Sequence, residues 1–71
     1  MSRETFSFVI YMIHVCAGKW QLSPSEVYRK MSEAGCIDGY LVPHYDVLHT
    51  QSSDYVAEDV KEYLLNRGVA V

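Results

Sequence analysis

The stretch Phe6-Ser7-Phe8-Val9-Ile10-Tyr11-Met12-Ile13-His14-Val15-Cys16-Ala17 decides how this chain folds, because only Ser7 and His14 interrupt its apolar run. At about 100° per residue the run reads as a helix. Phe6, Val9, Ile10, Ile13, Ala17 and Trp20 then form one stripe. Phe8, Met12 and Val15 form a second, roughly opposite it. Arg3, Ser7, His14 and Gly18 fall on a narrow polar line between them. An ordinary surface helix carries a single apolar stripe. One stripe therefore faces the domain's own core. The other is either wrapped by the remaining helices or covered by another chain. A partner surface built on it would use Phe8, Tyr11, Met12 and Val15. Each large apolar side chain is worth ~1.5–3 kcal/mol when fully buried, before the cost of association.

The run is too short to cross a bilayer, which needs ~20 apolar residues. Arg3 ahead of it and Val15-Cys16-Ala17 within it loosely resemble a signal peptide. Glu4 in the charged region and His14 in the apolar region argue against one. The expectation is a cytoplasmic protein with no membrane role.

The 71 residues allow one domain, residues 1–71. A chain this small buries only ~60% of the surface its unfolded form exposes, so a second chain would help it. The net charge is −3 and no Lys/Arg cluster is present. Phosphate neutralisation supplies most nucleic-acid affinity, so no nucleic-acid partner is expected. Arg29, Lys30 and Arg67 would have to serve if one existed. The six tyrosines suit an interface or the rim of a small core. Cys16 lies within the apolar helix and reads as a small core residue. Nothing in the sequence supports a disulfide from it to Cys36.

The fold class expected is all-α, a small bundle of three main helices with short helical turns between the second and the last. The first helix should run from Arg3 to Gly18. The second is the best signalled. Ser23 caps it, Pro24 takes the first position, Glu26 completes a capping box, and Gly35 ends it. Leu22 and Val27 occupy the positions of a hydrophobic staple. Val27, Tyr28, Met31 and Ala34 line its apolar face; Arg29, Lys30, Ser32 and Glu33 line the other. Gly39 and Pro43 weaken any long helix between Cys36 and Gln51. A short helical piece before Pro43 and a turn from Tyr45 to His49 are expected, with a strand over Tyr40–Val42 as the alternative. The last helix should span Ser53 to Arg67, capped by Ser52 and ended by Gly68. Val56, Ala57, Val60, Tyr63 and Leu64 form its buried face. Leu65 falls among its charged residues and is a candidate partner contact.

Reactive side chains are densest at His44-Tyr45-Asp46 and His49. Their spacing matches no metal signature, and a metal site needs ~3–4 ligands in compatible geometry. Acid–base chemistry by His44 or His49, oriented by Asp46, would need a pocket that a chain this small scarcely provides. His49 more simply hydrogen-bonds backbone near the start of the last helix. No glycine-rich phosphate loop, paired-cysteine motif or catalytic triad is present. The residues therefore favour a non-enzymatic protein-interaction module with no catalytic, metal or cofactor residues. The alternative is a small enzyme subunit or a metal- or cofactor-binding piece using His44, Asp46 and His49.

The string Tyr45-Asp46-Val47-Leu48-His49-Thr50-Gln51, with Tyr55-Val56 and Asp59-Val60 after it, resembles a family of short bacterial proteins of unknown function. The opening Ser23-Pro24-Ser25-Glu26-Val27-Tyr28-Arg29-Lys30-Met31 and the later Gly35-Cys36-Ile37-Asp38-Gly39-Tyr40-Leu41 belong to the same pattern. The resemblance covers nearly the whole chain. Genes of this family often lie beside one for an ADP-ribosyltransferase-like protein, in a toxin–antitoxin type of arrangement. The resemblance thus implies a helical accessory protein that binds and restrains its neighbour; self-association is the other form of the same reading. It supplies no catalytic residues.

Overall fold

In the computed structural model, which describes all residues from Met1 to Val71, the apolar run lies within helix α1, Arg3–Trp20. The Ser2 hydroxyl caps it by accepting from the Thr5 N–H at 3.1 Å. Gly18 does not end it. The helix runs on to Trp20, whose ring packs on the core, and stops at Gln21. Gln21 takes a left-handed conformation, φ 56°, and its N–H bonds to the Ala17 carbonyl. Helix α2, Pro24–Ala34, has the expected boundaries. Ser23 and Glu26 close a capping box, and Gly35 turns the chain out at φ 69°.

Between α2 and the last helix the chain makes two short helical pieces and no strand. The first is a π-turn over Ile37–Leu41, closed by a 2.9 Å bond from the Val42 N–H to the Ile37 carbonyl. The second is helix α3, Tyr45–Leu48. Helix α4, Ser53–Asn66, starts at the Ser52 cap, where the hydroxyl accepts from the Tyr55 N–H at 3.1 Å. Arg67 is its C-cap rather than its last residue. Gly68, at φ 77°, lets the Val69 N–H return to the Leu64 carbonyl at 2.9 Å.

Helices α1, α2 and α4 each pack against the other two around one cluster of 15 buried residues. The body measures 27 × 21 × 20 Å. The all-α bundle is thus the fold expected. The core side of α1 is not. Val9, Met12, Ile13, Cys16 and Ala17 are buried, so the core takes residues from both stripes. Met12 is 0% exposed. The physical reason is that the two stripes are edges of one broad apolar arc, and a bundle covers the middle of such an arc first. Phe8 and Val15 lie on one flank, half-buried, and Phe8 meets the Tyr45 ring edge-on at 5.5 Å. Phe6 and Ile10 lie on the other flank and remain exposed. In α2 the buried face is Val27, Met31 and Ala34; Tyr28, expected with them, stands at the surface.

Candidate functional site: an open apolar groove between α1 and α2

Three turns of packing leave Phe6 and Ile10 without a covering element. The same arrangement puts Tyr28 and Ser32 of α2 across from them. Between these walls lies a groove of about 340 Å³. The buried Val9 and Ile13 form its floor, and Met1, Gly35, Ile37 and Asp38 complete its lining. Phe6 is 56% exposed, Tyr28 55% and Ile10 40%, so the walls stand in water. Asp38 is the one charged side chain in the lining. No cation of the chain pairs with it, since the ion pairs present are Lys19–Asp54 and Arg29–Glu33. Asp38 belongs to the π-turn, which follows the left-handed Gly35 at the end of α2.

Of the residues expected to meet a partner, Met12 lies wholly inside and has no surface to offer. This corrects the expectation for that residue, and the cause is the broad arc described above. Phe8 and Val15 keep part of their surface, while Tyr11 and Leu65 are exposed. None of these five lines the groove. Phe6, Ile10, Tyr28 and Asp38 were not singled out as contacts from sequence. Treating the apolar residues of α1 as one arc, not two stripes, would have exposed the Phe6–Ile10 edge.

The π-turn itself is fastened from α4. The Tyr40 hydroxyl donates to the Asp59 carboxylate at 3.1 Å, and the Tyr40 and Tyr63 rings lie 5.5 Å apart. Burial, then the hydrogen bond to Asp59, pushes the Tyr40 hydroxyl well above its ordinary pKa. The Arg67 guanidinium sits 3.7 Å over the Tyr63 ring. A π-turn needs such support because it fits helical hydrogen bonding poorly, and such turns are frequent at functional sites.

His44, Asp46 and His49 are exposed and lie outside the groove. His49 stacks on Tyr45 with ring centroids 4.5 Å apart, and its Nδ1 donates to the Tyr45 carbonyl at 2.8 Å. Thr50 donates to the Val47 carbonyl at 2.7 Å, which fixes the same turn. No three His, Cys, Asp or Glu side chains converge as a metal site would require. Both cysteines are free and fully buried. Burial pushes each thiol from 9.0 up to about 12, with Cys36 a further unfavourable neighbour for a Cys16 thiolate. No helix is long and apolar enough to cross a membrane.

Fold and site together describe a small all-α bundle with one open apolar face. Residues 7–67 match the family described as protein of unknown function (DUF3791), and the chain belongs to that family. No curated protein and no solved structure matches it.

Proposed function

We propose that this protein is a non-enzymatic interaction module that receives another protein on the α1–α2 face. One observation carries the reading. The longest helix of the chain buries the middle of its apolar arc and leaves Phe6 and Ile10 in water, beside an equally bare Tyr28. Exposed apolar surface gathered at one place, and not scattered singly, marks an interaction site. An enzymatic reading has less support, because the one groove excludes His44, Asp46 and His49. The resemblance of the chain to toxin-associated accessory proteins supplies the finer form: an antitoxin-like partner that docks on, and restrains, an ADP-ribosyltransferase-like protein. Tyr11, Leu65 and the exposed parts of Phe8 and Val15 would extend that contact beyond the groove.

Co-expression with the product of the gene adjacent to its own, expected to be an ADP-ribosyltransferase-like protein, tests the proposal. The wild-type chain is expected to co-purify with that protein. Phe6→Ser with Ile10→Ser should abolish co-purification while leaving the circular-dichroism spectrum helical, since neither position belongs to the buried core. A wild-type chain that fails to co-purify and elutes as a monomer in light scattering would overturn the reading.

A further inference from the structure

We infer that Tyr40 and Asp59, neither of which lines the α1–α2 groove, are positioning residues for its edge at Ile37 and Asp38: their hydrogen bond latches Ile37–Leu41 into its π-turn. This deepens the interaction reading above, and its bearing on partner binding rests on that reading. One short segment meets two surfaces. Ile37 and Asp38, at its start, line the groove. Gly39 and Tyr40, next along it, meet α4. A Cβ added to Gly39 would stand 2.6 Å from the Tyr63 hydroxyl. The Tyr40 hydroxyl donates to the half-buried Asp59 carboxylate at 3.1 Å, and the Tyr40 ring packs beside those of His44 and Tyr63, 5.9 and 5.5 Å away.

The winding of the turn links the two. Its closing bond runs from the Val42 N–H to the Ile37 carbonyl at 2.9 Å, where an α-helix would use the Asp38 carbonyl. The turn therefore contains one residue more than an α-turn, and such i→i+5 turns are rare because their geometry is poor. Cys36 before it and Leu41 at its end are fully buried, so the surplus is taken up between them, at the exposed Asp38 and Gly39. Asp38 enters no ion pair, so the course of this backbone decides where its carboxylate stands. A hydrogen bond to a charged acceptor is stronger than one between neutral groups. Tyr40 makes that bond two residues from Asp38.

Scalar coupling across hydrogen bonds, measured by NMR on the isotope-labelled full chain, reads the turn directly. In the wild type the Val42 N–H is expected to couple to the Ile37 carbonyl. Tyr40→Phe and Asp59→Ala each remove the latch. In both, the coupling should pass to the Asp38 carbonyl, and the Val42 amide should exchange with solvent at least about tenfold faster. Asp59→Asn keeps an acceptor oxygen and should behave as the wild type. Ser23→Ala, which weakens a helix cap elsewhere, should leave the turn as it is. Coupling that stays on Ile37 in both latch variants would overturn the inference and assign the winding to the burial of Cys36 and Leu41 alone. So would a turn that loosens equally in Ser23→Ala, since general destabilisation would then explain it. Should Asp59→Ala fail to fold, Tyr40→Phe, which removes a single oxygen, decides. Tyr40→Phe is also expected to reduce co-purification with the adjacent gene's product, and Asp59→Asn to preserve it. Wild-type co-purification that Tyr40→Phe leaves intact would overturn the positioning role. A wild type that does not co-purify, with the coupling pattern as expected, overturns the proposed function alone, so the two failures can be told apart.

Discussion

Gly39 sits where a single added methyl group would matter. A Cβ there would lie 2.6 Å from the Tyr63 hydroxyl. Tyr63 cannot retreat freely, because its ring carries the Arg67 guanidinium and packs beside the Tyr40 ring. Alanine is otherwise the better helical residue, by about 1 kcal/mol. The steric and intrinsic terms therefore oppose each other and can be separated. Gly39→Ala is expected to lower stability in the native background. In a Tyr63→Phe background, which removes the crowding hydroxyl, the same substitution should become neutral or stabilising by up to about 1 kcal/mol. Urea denaturation of the four proteins measures the coupling. No coupling would mean that the Tyr63 hydroxyl does not limit the space at Gly39. The sequence marked Gly39 only as a residue that weakens helix; its closeness to Tyr63 depends on how α4 docks.

Elements whose ends are written in local residues were readable in advance. Helix α2 shows this best, since Ser23, Pro24, Glu26 and Gly35 lie within or beside the element they delimit. Ser23→Ala should cost about 1 kcal/mol in chemical denaturation, because it removes the acceptor of the Glu26 N–H at 3.2 Å. An unchanged midpoint would show that the cap contributes nothing. The end of α1 was misplaced at Gly18 because a glycine is a permissive stop and not a compulsory one. The stop was set instead by Trp20 finding the core and Gln21 turning left-handed. The π-turn was expected as a short helical piece. Its Tyr40 is fastened to Asp59, a partner 19 residues away. A local reading has no access to that contact.

At the scale of the whole molecule, both thiols are buried neutral in one core. Their pKa values are raised on folding, so the unfolded chain loses these protons first as pH rises. Stability from this source is complete below pH 9 and declines between 9.0 and about 12. Tyr40, raised for the same leading reason, acts in the same direction. Denaturation at pH 8 and pH 10.5 is expected to show this loss, and Cys16→Ala with Cys36→Ala should shrink it. Iodoacetamide should label neither thiol until denaturant is added. Rapid labelling of the native chain would contradict their burial. The distribution of apolar surface is also a whole-molecule property. The apolar excess on α1 was visible in residues 6–17, yet which part of it stays bare depends on where α2, α3 and α4 settle.

The sequence by itself determined the all-α class, the caps and limits of α2, the start of α4 and the presence of more apolar surface on α1 than one core side needs. These follow from nearest-neighbour chemistry: helical periodicity, side-chain capping and the φ preferences of glycine and proline. Only the tertiary structure decided that Met12 is internal and that Phe6, Ile10, Tyr28 and Asp38 line one open groove. The reason is geometric. An arc of apolar residues fixes which residues can be buried, but the angle at which the other helices approach chooses which of them are.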